Sequence, residues 1–126
     1  MEKLNLSASE WKIMSMLWDN EPMTIMQLTK ALKEETGWTK NTIIILLGRM
    51  EKKNAVTYER IGNAKHYSTL VKREDVCVAE TQSFLKRIYR GSLGMMMNHL
   101  IEQKAVSKED IAELYDILKK AEEEEA

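Results

Sequence analysis

The apolar positions of the first 70 residues recur at helical spacing in three separate segments. In the third segment they fall at i, i+3, i+4 and i+7, and they are Ile43, Leu46, Leu47 and Met50. Thr39 stands where a helix N-cap is expected, and Asn54 stands where a helix commonly ends. The pattern therefore predicts one amphipathic helix over residues 39–53.

Two further helices are predicted before this one, because each begins with the spacing of a capping box. Ser7 and Glu10 form the first box, and Thr24 and Gln27 form the second. Met23 is expected to be a short extended link between the two helices. The predicted buried stripes are Trp11, Met14, Leu17 and Trp18 in the first helix, and Leu28, Ala31 and Leu32 in the second.

The helical period gives way to alternation after residue 55, which is typical of a strand. Residues 56–60 alternate, residues 65–69 form a second short run, and Gly62 and Asn63 between them suit a hairpin turn. Three helices followed by a hairpin match the plan of a winged helix-turn-helix, a mainly α fold with a small β-wing. In that plan the third helix enters the DNA major groove and the hairpin lies along the flanking phosphates.

The outward face of the predicted third helix carries the candidate DNA-reading residues. An exposed isoleucine suits a helix lying on DNA, because an apolar side chain can contact the thymine methyl group. Gly48 weakens the helix and therefore favours a site of close backbone approach. The alternative is that Ile44 and Ile45 pack on a neighbouring element. The candidate residues are Thr39, Lys40, Asn41, Thr42, Ile44, Ile45, Arg49 and Lys52.

Arg60 and Lys65 flank the predicted hairpin turn, where they would reach phosphate oxygens. The alternative is a solvated edge strand that its charges merely protect from pairing. The net charge of the chain is −1, which at first argues against a nucleic-acid partner. Residues 1–71, however, hold ten basic and eight acidic side chains, whereas residues 72–126 hold nine and twelve. A local basic patch can hold DNA even when the whole molecule is slightly acidic.

From residue 72 onward the pattern is entirely helical, with three amphipathic segments. The last of them begins with a Ser107 and Asp110 capping box, and its acidic end at Glu122–Glu125 is expected to fray. So short a segment makes a poor core alone, so we expect a dimerisation domain over residues 72–126, after a DNA-binding domain over residues 1–71. The predicted dimerisation residues are Phe84, Ile88, Leu93, Met96, Met97, Leu100, Ile101, Ile111, Leu114, Tyr115 and Leu118.

Other chemistry finds little support in the sequence. His66 and His99 have no partners at the spacing of a metal site or a catalytic triad, so we expect no enzyme, metal or cofactor. Cys77 lies among apolar residues, and we expect it in the core. No segment approaches the about 18 apolar residues of a membrane span, and the N-terminus lacks a secretory signal, which predicts a cytoplasmic protein without membrane insertion.

Four stretches carry a close resemblance to the penicillinase and methicillin-resistance repressor family (BlaI/MecI type). They are L-S-A-S-E-W-K-I-M-S-M-L-W-D, then G-W-T-K-N-T-I with L-L-G-R-M-E-K-K, then Y-E-R-I-G-N-A-K-H-Y-S-T-L-V, and S-F-L-K-R-I-Y-R-G-S-L. The resemblance covers nearly all of residues 4–118 and implies a homodimeric repressor of antibiotic-resistance genes, such as those for β-lactamase, bound to an inverted-repeat operator. It also implies release when a membrane sensor-protease system triggers cleavage of the repressor.

The family's usual residues differ from this chain at two places. The bond that is cleaved in the family, between asparagine and phenylalanine, falls here at Asn98 and His99. The family usually has polar or basic residues at the positions of Asn41, Ile44 and Ile45. The paired C-x-C cysteines of copper-responsive relatives are absent from the sequence.

Two other functions are compatible with the residues alone. A winged helix can act as a protein-protein adaptor, in which case the outward isoleucines would meet a protein partner. A ligand-gated regulator is the second alternative, with an apolar pocket near residues 95–97.

Overall fold

The computed structural model describes residues 4–125. Over that range the chain forms six helices and a three-stranded antiparallel sheet, and it divides into one compact unit up to Glu80 and a second from Thr81. The elements in chain order are α1 (Ala8–Asn20), β1 (Met23–Thr24), α2 (Ile25–Thr36), α3 (Lys40–Lys52), β2 (Val56–Ile61), β3 (Ala64–Thr69), α4 (Arg73–Tyr89), α5 (Leu93–Glu102) and α6 (Lys108–Glu125).

Both predicted capping boxes of the first unit are present. The Ser7 hydroxyl accepts a hydrogen bond from the Glu10 amide at 3.1 Å, and the Glu10 carboxylate accepts one from the Ser7 amide at 2.7 Å. Thr24 and Gln27 make the same reciprocal pair at the start of α2, at 3.1 and 2.9 Å. Each box satisfies backbone donors that a helix N-terminus otherwise leaves unpaired. The starts of α1 and α2 are therefore fixed by local sequence.

The core of the first unit lies between its three helices and the sheet. The predicted inner stripe of α3 is confirmed, since all four of its apolar residues are buried. The buried apolar residues of this unit are Leu6, Ile13, Met14, Leu17, Met23, Leu28, Leu32, Ile43, Leu46, Leu47, Met50, Ala55, Val56, Tyr67 and Val76.

The predicted stripes of α1 and α2 were wrong in part. The buried face of α1 runs through Ile13, Met14 and Leu17, so Trp11 and Trp18 lie at its two edges and are only half-buried. Their rings contact each other at a centroid distance of 5.7 Å. Ala31 was expected in the core of α2, but it is exposed, because Leu28 and Leu32 alone fill that face.

The sheet has the strand order β1-β3-β2, with β3 in the centre. The predicted hairpin is confirmed: Ile61 pairs with Ala64 across a two-residue turn in which Gly62 has a φ of +63°. Met23 was expected to be a link only, but it is a strand residue that pairs with Tyr67. That pairing attaches the wing to the segment between α1 and α2.

An ion pair between the buried Glu10 and the partly exposed Lys53 connects the start of α1 to the end of α3. Glu10 is buried, and its carboxylate oxygen Oε1 lies 2.7 Å from Nζ of Lys53, the residue that caps α3. The same ammonium group donates to the carbonyl oxygen of Asn5 at 2.6 Å. Burial raises the pKa of the Glu10 carboxyl, but hydrogen bonds from Lys53 and Ser7 outweigh it and hold the pKa below its ordinary value. Glu10 is therefore ionised in the folded protein at neutral pH.

The first unit includes the start of α4. The indole Nε1 of Trp18 donates to the carbonyl of Val71 at 3.0 Å, and Arg73 pairs with Asp19 at 2.6 Å. Val76 is buried, so the neighbouring Cys77 points outward. The expectation that this cysteine is a core residue was wrong. The domain boundary predicted after residue 71 lies before the end of this unit at Glu80, and it stays a prediction.

The second unit consists of the rest of α4, with α5 and α6. The predicted capping box at the start of α6 is present, with Ser107 and Asp110 bonded at 3.0 and 3.1 Å. The structure keeps residues 122–125 helical, although the acidic run predicted fraying. Glutamate, lysine and alanine are strong helix formers, and their propensity outweighs the unfavourable charge at the helix end. None of the side chains from Thr81 to Glu125 is buried.

Replacing Glu10 with Gln should lower the free energy of unfolding at neutral pH by about 1–3 kcal/mol, because it removes a buried charge-assisted hydrogen bond. Since the folded-state pKa lies below the ordinary value of 4.5, this stabilisation is present above that pH and is lost as the pH falls through the folded-state pKa. Urea unfolding from about pH 7 to about pH 3 should therefore show a steeper acid loss in the wild type than in Glu10→Gln.

The matched control for this prediction is Glu35→Gln. Glu35 pairs with Lys12 at the same 2.7 Å distance, but both side chains are exposed. The control should cost less than about 1 kcal/mol. Equal costs for the two substitutions would contradict a special role for the buried pair.

Candidate nucleic-acid interface

The side of α3 that faces solvent is not covered by any other described element of the first unit. Lys40, Asn41, Arg49 and Lys52 are exposed, and so are two isoleucines, Ile44 at 42% and Ile45 at 56%. The structure thus rejects the alternative that these isoleucines pack on a neighbouring element of the unit. We call the surface made by these six residues the outer face of α3.

The N-terminal cap of α3 uses two of the predicted DNA-binding residues. The Thr39 hydroxyl accepts a hydrogen bond from the Thr42 amide at 3.4 Å, and the two hydroxyl oxygens lie 3.4 Å apart. Thr42 is half-buried, whereas Thr39 is exposed. Both threonines therefore contribute to the start of the helix, and their role toward DNA stays a prediction. The helix ends at Lys52, and Asn54, where the sequence predicted a stop, has a φ of +61° just beyond the cap.

Gly48 lies beside the two isoleucines and is not required by the packing of the protein. An ideal Cβ built on this residue meets no atom within 4 Å, and its φ is not positive. A glycine in the middle of a helix weakens it by about 1 kcal/mol relative to alanine. Among the described residues, no close contact at this position accounts for that cost. A shallow groove on the outer face, next to Ile44 and Ile45, is the consequence.

Three cations make the outer face electropositive. Lys40, Arg49 and Lys52 take part in none of the ion pairs formed by residues 4–125. The adjacent Lys53 is held by Glu10, and the Glu51 carboxylate interacts with the buried Tyr67 phenol. Both of these neighbouring charges are thus turned toward the protein. The remaining charge on the outer face is positive, which is the complement of a phosphate backbone.

The hairpin carries the two predicted wing residues directly opposite each other. Arg60 pairs with Lys65 in the register of β2 and β3. Arg60 is exposed, whereas the Lys65 ammonium lies 4.5 Å above the ring of Tyr58 and the residue is half-buried. Lys65 is therefore held in one orientation by a cation-π contact.

A buried tyrosine attaches this hairpin to α3. The rings of Tyr58 and Tyr67 lie 5.4 Å apart, and the Tyr67 phenol interacts electrostatically with Glu51 in the last turn of α3. Burial and the Glu51 charge raise the pKa of Tyr67 to about 12. This connection was not predicted from the sequence. The available signal was the strand alternation, which places Tyr58 opposite Tyr67 once the turn at Gly62 is fixed.

The predicted dimerisation residues occupy the second unit and leave apolar surface uncovered there. Three of them are half-buried, namely Met96, Met97 and Leu114. The others are exposed, namely Phe84, Ile88, Leu93, Leu100, Ile101, Ile111, Tyr115 and Leu118. Met95 and Ile117 of the same unit are also exposed, and neither was among the predicted dimerisation residues.

The bond predicted for cleavage lies inside α5. Asn98 and His99 are both exposed, and His99 Nδ1 lies 3.3 Å from the hydroxyl of Tyr89. The two rings contact at a centroid distance of 5.4 Å. This contact holds the histidine side chain against the end of α4.

Neither a metal site nor a membrane span is found in the part of the chain that the structure describes. No three of its His, Cys, Asp and Glu side chains cluster closely enough to hold a metal ion. No helix within residues 4–125 is both long and apolar enough to cross a bilayer.

Comparison with known proteins assigns the chain to a family. The chain is 30% identical over 119 residues to the penicillinase repressor of Bacillus licheniformis, which covers 94% of this chain and 93% of the relative. It is 24% identical over 115 residues to the methicillin resistance regulatory protein MecI of Mammaliicoccus sciuri, covering 91% and 94%.

Among solved structures, the chain resembles the monomeric form of Bacillus licheniformis BlaI in complex with the blaP half-operator. The TM-score is 0.51 at 23% identity, over 59% of this chain and 90% of that one, which confirms the winged helix fold. The profile of the penicillinase repressor family matches residues 6–120. Because this match spans nearly the whole sequence, the chain belongs to the penicillinase repressor family.

Proposed function

We propose that this protein represses transcription as a homodimer, by placing α3 of each protomer in the major groove of a near-palindromic operator. Its family consists of DNA-binding transcriptional repressors, so the prediction that the chain is not an enzyme is confirmed. The observation that carries the proposal is the outer face of α3, where three cations that form no ion pair within residues 4–125 lie around two exposed isoleucines and Gly48.

The geometry of the first unit supports this mode of binding. The inner stripe of α3 is buried, so the helix can present only its outer face to a duplex. Arg60 and the oriented Lys65 lie on the wing, where phosphate contacts would fix register and add affinity without reading sequence. Val56 and Tyr67 of the wing are buried in the same core as the inner stripe of α3, so helix and wing would meet the duplex as one preformed surface.

The second unit supports a homodimer. None of its side chains from Thr81 to Glu125 is buried, although each helix has an apolar stripe. A segment this short cannot bury enough surface alone, and a second copy covers the same stripe on both protomers in one symmetric interface. Two linked reading helices then contact two half-sites, about one DNA turn or a multiple apart.

Relief of repression by proteolysis is the finer part of the proposal. Asn98 and His99 lie between the apolar pairs Met96–Met97 and Leu100–Ile101 of α5. Cleavage at this bond would cut the proposed dimer stripe in two. Loss of the dimer would remove the second half-site's contribution to operator affinity.

Replacing Gly48 with Ala should raise the free energy of unfolding of the protein and, at the same time, weaken its DNA binding. The new methyl group meets no atom of the protein within 4 Å, so the higher helix propensity should add about 0.5–1 kcal/mol to the free energy of unfolding. When the protein binds DNA, the same methyl group would occupy the groove on the outer face of α3 and hinder the close approach of the helix backbone to the duplex. Thermal unfolding and fluorescence anisotropy with DNA from upstream of the protein's own gene measure the two effects.

Ser15→Ala is the matched control, because it also raises helix propensity, at an exposed position of α1. This variant should gain stability without loss of DNA affinity. If Gly48→Ala binds the same DNA as tightly as the wild type, the outer face of α3 is not the DNA contact.

Replacing Leu118 with Glu should dissociate the dimer, because it puts a charge into the α6 stripe. Ile117→Glu is the matched control, since Ile117 is about as exposed, at 52% against 58%, but lies outside the predicted stripe. Sedimentation equilibrium should show a dimer dissociation constant at least about tenfold higher for Leu118→Glu, which corresponds to about 1.4 kcal/mol. A monomeric wild type, or equal effects of the two substitutions, would reject the proposed stripe.

Cleavage can be tested by intact-mass measurement of the repressor from cells in which repression has been relieved by a β-lactam. The proposal predicts two fragments that meet at the bond between Asn98 and His99. An uncleaved chain under full derepression, or fragments that meet elsewhere, would show that this bond is not the switch.

A further inference from the structure

Ile44 and Ile45 are the exposed large apolar side chains of α3, and both lie in the middle of its outer face. They are 42% and 56% exposed, and the described part of the first unit does not cover them. Asn41 lies one turn before Ile45, and Gly48 lies one turn after Ile44. The outer face thus has an apolar centre, with an amide on one side and a groove on the other.

The charges around this apolar centre indicate what covers it. Lys40, Arg49 and Lys52 are exposed on the same helix and form no ion pairs among the described residues. A partner must therefore bring negative charge at the edge and apolar atoms at the centre. The major groove of DNA does both, because phosphates line its rims and each thymine presents a C5-methyl group on its floor.

We infer that Ile44 and Ile45 recognise thymine C5-methyl groups, so that each half-site contains at least one A·T pair whose methyl group meets this surface. The inference rests on the proposed function and names the bases that the outer face selects. Cytosine has no such methyl group and presents an amino donor, which an isoleucine cannot satisfy. Substituting C·G at that position therefore both removes an apolar contact and buries a polar group without a partner.

Asn41 strengthens the preference for A·T pairs. A side-chain amide can bond to N6 and N7 of adenine with both of its polar atoms. Asn41 lies one helical turn from Ile45 on the same face, so an adenine that it contacts lies close to the thymine that Ile45 contacts. We therefore expect the core of each half-site to contain A·T pairs. The Asn41 amide would contact adenine, and Ile44 and Ile45 would contact thymine methyl groups.

The test uses deoxyuridine, which differs from thymidine only by the missing C5-methyl group. An operator duplex is first selected from random-sequence DNA with the full-length protein, and each thymine of one half-site is then replaced singly by deoxyuridine. The wild type should lose about three- to tenfold in affinity at one or two positions, as expected for one buried methyl group. At the position facing Ile45, the Ile45→Ala variant should bind the thymine and deoxyuridine duplexes equally.

Ile61→Ala is the control, because Ile61 is also 56% exposed but lies at the turn of the wing. This variant should keep the full deoxyuridine effect of the wild type. Alanine is tolerated at both sites, since neither isoleucine is part of the core.

The outcomes separate the inference from the function on which it rests. If the protein binds the operator tightly and no deoxyuridine weakens binding, the inferred recognition of thymine methyl groups is wrong, but the proposed repressor function is not contradicted. Recognition of methyl groups by these isoleucines is also wrong if Ile44→Ala and Ile45→Ala both keep the wild-type deoxyuridine effect. If no duplex is selected at all, the proposed function itself fails, and the apolar centre of α3 is then a surface for a protein partner.

Discussion

The structure depends on the burial of one side of α3. Ile43, Leu46, Leu47 and Met50 are removed from water between α1, α2 and the sheet, and each full burial of such a side chain contributes about 1.5–3 kcal/mol. Because a helix has a fixed period, burying this stripe decides which residues point outward. The cations, the isoleucines and Gly48 share the outer face for that reason. The functional surface is thus a consequence of the core.

The C-terminal end of α3 is held by polar contacts that burial alone would not supply. Lys53 is bound by the buried carboxylate of Glu10, and the charge of Glu51 acts on the Tyr67 phenol. The first contact fixes α3 to α1, and the second fixes it to the wing. The same contacts draw Lys53 and Glu51 toward the protein and leave Lys52 on the outer face. Structural and functional charges are therefore separated along a single turn of helix.

Local signals in the sequence predicted most of the first unit. Capping boxes, the period of α3 and the turn at Gly62 depend only on residues a few positions apart, and all of them were confirmed. The errors arose where residues far apart in the sequence determine the local structure. Met23 is a strand only because Tyr67 pairs with it, and Glu10 is buried only because Lys53 approaches from the far end of α3.

The second unit shows a different limit of prediction. The three helices were predicted correctly, but amphipathic stripes do not tell which apolar residues meet which partner. Met95 and Ile117 are exposed like the predicted stripe residues, and Cys77, on the part of α4 that belongs to the first unit, is exposed although it was expected in the core. For the same reason the dimer stripe and the cleavage bond remain proposals, whereas the family and the winged helix fold are established.

The most direct test of the central claim is the salt dependence of DNA binding for Lys52→Ala. Neutralising a phosphate releases counterions, so a lysine that contacts the backbone adds about one unit to the slope of log affinity against log salt concentration. Lys52→Ala should therefore flatten the slope by about one unit on every DNA sequence, whereas Lys120→Ala in α6 should leave it unchanged. An unaltered slope in Lys52→Ala would contradict a DNA-facing outer side of α3.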